Sequence, residues 1–154
     1  MVIKKILLPY NFTSYDKKAL DFVIQTYANQ KDVEITLFNA YTPVPEIETR
    51  TSPIMEKMRS NLGFLLQKIK EQEEELKIVR NKLLEKGFSD NRIHTIFEPK
   101  KKDVAGEIID LALNGQFDVL VLNRKTGKIS RFFTGSVITK VLTALKETTV
   151  CIVS

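Results

Sequence analysis

Ile3-Lys4-Lys5-Ile6-Leu7-Leu8-Pro9-Tyr10-Asn11-Phe12-Thr13-Ser14 decides the fold of this chain. Ile6, Leu7 and Leu8 are consecutive apolar residues with no polar alternation, the pattern of a strand covered on both faces. Pro9 ends the run. Asn11 to Ser14 supplies turn and helix-capping side chains. Behind them Ala19, Leu20, Phe22, Val23 and Tyr27 recur at helical spacing and predict an amphipathic helix from Tyr15 to Tyr27. A buried strand followed at once by such a helix is the opening of a βα unit.

The unit repeats outward from there. Val33 to Tyr41 predicts a second strand, and Thr42 to Thr51, with Pro43 and Pro45, a loop. Ser52-Pro53 is a helix start, Ser as cap and Pro in the first turn. Ile54, Met58, Leu62, Leu65, Ile69, Leu76, Val79 and Leu83 then mark the stripe of a long helix running to about Lys86, with Gly87 as its stop. The run Glu71 to Glu75 has no apolar anchor, so the helix is expected to bend or stand clear of the sheet there. The spacing also admits a coiled coil, against the plainer expectation of one face on the sheet and one in water. Ile93 to Phe97, Val119 to Leu122 and Thr148 to Val153 predict three more strands. Asp103 to Leu113 and Gly135 to Leu145 predict two more helices. The order β-α-β-α-β-α-β-α-β implies a single-domain flavodoxin/Rossmann-like α/β fold, a five-stranded parallel sheet with helices on both faces, over residues 1–154.

Composition agrees and excludes much else. The chain has 154 residues, 43% hydrophobic and 28% charged, with 6 Gly and 5 Pro. That is one ordinary domain with a full core, neither disordered nor low-complexity. No apolar run approaches the ~20 residues of a membrane helix, so no membrane partner is expected. The single Cys, Cys151, excludes an internal disulfide, and the single His, His94, excludes multi-His zinc sites. The first residues lack a signal-peptide core, and together with the missing disulfide this predicts a cytoplasmic location. A net charge of +5 hints at anionic partners, but the basic residues are spread and no nucleic-acid recognition pattern appears.

In open α/β sheets ligands bind beyond the carboxyl ends of the strands, where strand order reverses. Two loops qualify: Pro9-Tyr10-Asn11-Phe12-Thr13, and Asn123 to Ser136. The second holds Arg124, Lys125, Lys128 and Arg131, after which Gly135-Ser136 is expected to open a helix. Free N–H groups, the helix dipole and the Ser hydroxyl at such a start suit phosphate. The tract Lys100-Lys101-Lys102 reads as a solvated loop or as an anion-attracting rim.

Taken together, Ile6 to Thr13, Phe117 to Leu122, Gly135-Ser136-Val137 and Thr149 to Val153 resemble the universal stress protein family over essentially the whole chain. The resemblance implies a small α/β binding module, a homodimer paired through its final strand, here Thr148 to Val153, and an ATP site with Mg at the carboxyl end of the sheet. It implies that Asn11 and Ala40 face ribose and base. It further implies that Gly135, Ser136 and Val137 hold phosphate by N–H and hydroxyl, with Arg124 and Lys125 adding charge. Many members carry Gly, two residues, Gly, nine residues, Gly, Ser. Nine residues before Gly135 place the second glycine at Lys125 and the first at Leu122, so this chain departs at both; Gly127 offers an alternative turn. The family's Asp after the first strand is Asn11 here, which keeps an acceptor and loses the charge. The alternative is a nucleotide-independent homodimeric interaction module of the same fold.

Enzymatic rivals of the same architecture fail on residues. A nucleotidyl transferase needs a His pair. Gly127-Lys128 lacks the upstream glycine of a P-loop and is followed by Ile129. A receiver domain needs acids where Asn11 and Glu98-Pro99-Lys100 stand. The expectation is a non-enzyme, with slow ATP hydrolysis left open. Asp103 and Glu107 read as first-turn helix residues suited to the dipole.

Overall fold

A computed structural model describes residues 2–45, 53–124 and 130–154, with the backbone course alone for residues 55 and 130–136. In chain order the elements are β1 (Lys4–Pro9), α1 (Ser14–Tyr27), β2 (Val33–Tyr41), α2 (Pro53–Glu85), a 3-10 turn (Asp90–Arg92), β3 (Ile93–Pro99), α3 (Val104–Asn114), β4 (Val119–Asn123), α4 (Ser130–Ala144) and β5 (Thr149–Val153). The five strands form one parallel sheet of order β3-β2-β1-β4-β5. β1 is central: Ile6 stands between Ile35 of β2 and Val119 of β4.

The unbroken apolar run of β1 has the cause its sequence implied. Ile6 and Leu8 point into one core, with α1 and the C-terminal part of α2. Leu7 points into the other, with α3, α4, Leu120 and Leu122. All three are fully buried. α1 begins where the capping residues stop the strand: Thr13 and Asp16 satisfy each other's backbone N–H groups as a capping box. α2 ends at Gly87, whose φ of +115° is a left-handed conformation that glycine adopts without strain. Arg80 ties that end down, donating to the carboxylate of Asp90 at 2.7 Å and to its carbonyl at 3.1 Å.

Two expectations change. α2 has 33 residues, about 50 Å of helix at 1.5 Å per residue, against about 30 Å for the longest strand. It overhangs the sheet. Of its stripe only Leu76, Val79 and Leu83 are buried in the core, whereas Ile54, Met58 and Leu65 are exposed. The fourth helix starts at Ser130 and not at Gly135, so Gly135 and Ser136 lie inside α4. The free N–H groups of a helix are its first four, so that dipeptide is not the helix start it was expected to be.

Candidate functional site

Strand order reverses at β1, whose neighbours β2 and β4 continue the chain in opposite directions, and the carboxyl ends of these three strands frame the site. The loop after β1 is held from both sides. On the β4 side Asn123 Nδ2 donates to Asp16 Oδ1 at 2.5 Å. Asp16 is 1% exposed, and its other oxygen accepts from Thr13 N–H at 2.9 Å and from the Thr13 hydroxyl at 2.6 Å. These donors satisfy the oxygens of a carboxyl group that is out of water. On the β2 side Asn39 Nδ2 donates to the Tyr10 carbonyl at 2.8 Å and to Asn11 Oδ1 at 3.4 Å. Between these anchors Phe12 adopts φ of +63°, a left-handed turn that costs a non-glycine residue about 1–3 kcal/mol. Its ring packs edge-on against Tyr10 at 5.4 Å, which helps hold it there.

Beside this loop lies a cavity of about 420 Å³. Asn11, Asn39 and Ala40 form its floor, Thr42 to Val44 one rim, and Leu65, Lys68, Ile69 and Gln72 of α2 its outer wall; Lys100 and Val104 complete it. The size and the mix of apolar wall with a few amide and ammonium groups suit a small organic ligand. Among the described residues Asn39 Oδ1 is a buried side-chain acceptor without a hydrogen-bond partner. Leaving such a group unpaired costs about 1–3 kcal/mol, which marks the base of this cavity as locally unfavourable for stability.

The expected site residues divide. Asn11 and Ala40, twenty-nine positions apart in sequence, meet at the cavity. Pro9 is buried at the end of β1, and Tyr10 is core: it is 5% exposed, and burial first, then the charge of Asp16, raises its phenol pKa above the ordinary value. Tyr10 therefore contributes its backbone carbonyl and not its ring to the loop's polar contacts. Asn123 is engaged with Asp16, Arg124 is exposed with its N–H donated to the Val153 carbonyl at 2.8 Å, and Val137 packs half-buried on the second core. Lys125 and Gly127 lie outside the described residues. Leu122, at the position of a family glycine, is 6% exposed and belongs to the second core.

Of the lysine tract only Lys100 lines the cavity. Glu107 accepts from the backbone N–H groups of Lys101 and Lys102 at 2.6 and 2.8 Å, and Lys102 pairs with Asp110 at 2.6 Å. Asp103 caps α3 through Gly106 N–H at 2.8 Å and pairs with Lys140 of α4. The Lys140 contact holds the Asp103 carboxyl below its ordinary value. Asp16, Asn39 and the α2 wall were missed in the sequence. Thr13-x-x-Asp16 is a legible capping box; Asn39 inside an apolar strand was a weaker signal, and nothing local marks Lys68 or Gln72.

Three solved structures are similar over nearly their full length. One is a hypothetical protein whose biochemical function was assigned from its structure: 20% identity, TM-score 0.71, 99% of this chain and 96% of that one. The second is the universal stress protein from Archaeoglobus fulgidus in complex with dAMP: 16% identity, TM-score 0.66, 100% of each chain. The third is a universal stress protein in complex with cAMP: 17% identity, TM-score 0.63, 100% of this chain and 98% of that one. No curated protein matches. At these identities the likeness establishes the fold. The family model for the universal stress proteins matches residues 3–152, and by that match this chain belongs to the universal stress protein family.

Proposed function

We propose that this protein is a binding module for an adenine nucleotide, with base and ribose in the cavity beside Asn11 and Ala40 and the phosphates toward the end of β4. One observation carries the reading: the fold converges Asn11 and Ala40 on a cavity of about 420 Å³, within the range of small-molecule sites. The dAMP and cAMP complexes of similar structures support it. Ala40 leaves room for a flat base. Asn11 offers an amide to a ribose hydroxyl. Lys68 and Lys100 add positive charge on the cavity wall, and Arg124, Lys125 and the Ser136 hydroxyl are the groups proposed for the phosphates. Among the described residues no three acidic, His or Cys side chains converge as a metal site, so a Mg ion would be carried chiefly by the phosphates of ATP. The proposal places the protein in the cytoplasm as a homodimer paired through β5. Among the described residues no helix is long and apolar enough to cross a membrane.

One observation favours the nucleotide-independent module: Leu122 is part of the core, and the Asp16–Asn123 bond draws the β1 and β4 loops together where phosphates would enter. The test is the nucleotide released on heat denaturation of freshly purified protein, followed by ATP and AMP calorimetry on wild type and Ala40→Trp. Micromolar binding that falls at least about tenfold in Ala40→Trp, with an unchanged circular dichroism spectrum, supports the cavity. No released nucleotide and no heat at millimolar ATP and AMP establishes the nucleotide-independent reading.

A further inference from the structure

The loop after β1 separates two parts of the site. On its β2 side lies the cavity, floored by Asn11, Asn39 and Ala40. On its β4 side Asp16 and Asn123 bond across the gap between the first loop and the end of β4. Asp16 is 1% exposed, and both of its oxygens are engaged: Oδ1 accepts from Asn123 Nδ2 at 2.5 Å, and Oδ2 accepts from the Thr13 N–H and hydroxyl. Donors that the end of β4 could turn on a ligand are engaged as well. Asp16 turns the Asn123 amide into the first loop, and the Arg124 N–H is given to the Val153 carbonyl. Gly135 and Ser136 lie past the first four residues of α4, so their N–H groups are bonded within the helix.

We infer that Asp16 sets the length of phosphate chain that the site takes. By holding the Asn123 amide it withholds the side-chain donor at the end of β4. On the adenine-nucleotide reading, on which this rests, the site then takes adenosine monophosphate in preference to the triphosphate. Base and ribose are served by the cavity on the β2 side, which the Asp16 pair leaves open. A longer phosphate chain runs on towards β4, because sheet order sets the cavity and the β4 loop on opposite sides of β1. There it meets a carboxyl group already accepting three hydrogen bonds and an amide already bound, whereas phosphate oxygens need donors. The closed arrangement is held against a cost. Phe12, between the two anchors, stands at φ of +63°, a conformation that persists only while its surroundings fix it. Removing the Asp16 side chain releases both the amide and the loop.

The test is calorimetry of AMP and ATP, each with Mg, on the whole chain as wild type, Asp16→Ala and Asp16→Ala/Asn123→Ala, with helical circular dichroism as the check on folding. The Thr13 hydroxyl still accepts the backbone N–H of residue 16 in these variants, so part of the cap is kept. Asp16→Ser is the second variant should Asp16→Ala fail to fold. Wild type is expected to bind ATP no more tightly than AMP. Asp16→Ala is expected to shift the ratio of the two affinities at least about tenfold in favour of ATP, and the added Asn123→Ala to cancel that shift. A merely structural role for Asp16 weakens both ligands alike. An unshifted ratio therefore overturns the proposal, as does wild-type ATP binding tighter than AMP binding, or a shift that survives Asn123→Ala. Wild type that binds neither ligand overturns the adenine-nucleotide reading and the role of Asp16 with it, whereas AMP binding with an unshifted ratio overturns the role of Asp16 alone.

Discussion

The two halves of α2 share one helix and one apolar stripe, and they meet opposite environments. From Leu76 to Leu83 the stripe is sealed against β2 and β3, in the core that β1 and α1 also enter, and Arg80 bolts the helix end to the turn before β3. Towards its N-terminus Ile54, Met58, Phe64, Leu65 and Leu66, side chains of the same type, are exposed. The difference teaches that apolar periodicity fixes which face of a helix must be covered, but not by what. Coverage depends on where the sheet ends, and a helix of about 50 Å on strands of about 30 Å runs out of sheet. The overhanging half is not left without use, because Leu65 and Ile69 of the stripe form part of the cavity wall.

The comparison can be broken most readily by truncation in both halves. Leu83→Ala removes a fully buried side chain and is expected to cost about 2–5 kcal/mol in urea unfolding, while Leu66→Ala is expected to stay within about 0.5 kcal/mol for the isolated monomer. Comparable losses at the two positions would mean that the overhang is packed. A smaller effect sharpens the account of the anchored end. Arg80→Ala deletes the bonds to Asp90 and is expected to cost about 1–2 kcal/mol in the same measurement. A loss confined to the N-terminal half, with the Leu76 to Leu83 turns still protected, would contradict that role. The smallest effect concerns Gly63, which has open space where a Cβ would be added. Gly63→Ala is expected to favour helix by about 0.5–1 kcal/mol. Hydrogen exchange should slow around residues 58–68 with little change in Tm. A matching rise in global stability would show that the overhang melts together with the body.

The parallel α/β architecture was legible because its physics is local. Ile6-Leu7-Leu8 cannot be half-solvated, Asn11 to Ser14 carry the turn and capping side chains, and Gly87 stops α2. The convergence of Asn11 and Ala40 was legible only through resemblance, since no local rule relates two loops twenty-nine residues apart. Tyr10 differs from its neighbours in the candidate loop: its ring is 5% exposed in the core, and its carbonyl accepts from Asn39. The start of α4 misled. Gly-Ser is a common helix entry, but both residues are also tolerated within a helix, and α4 begins five residues earlier.

What the sequence determined by itself is therefore the order of elements, the two-sided burial of the central strands and the first cap, with the family entering through resemblance of motifs along the whole chain. The elements and the cap arise from composition and spacing within about a dozen residues, where backbone and solvent preferences act directly. Tertiary structure alone decided that α2 walls the cavity with Leu65, Lys68, Ile69 and Gln72, that Asp16 bonds Asn123 across 107 positions, and that Ile54, Met58 and Leu65 of the stripe are exposed where Leu76, Val79 and Leu83 are buried. These are long-range outcomes of sheet order and of helix length against strand length, quantities that no local pattern encodes.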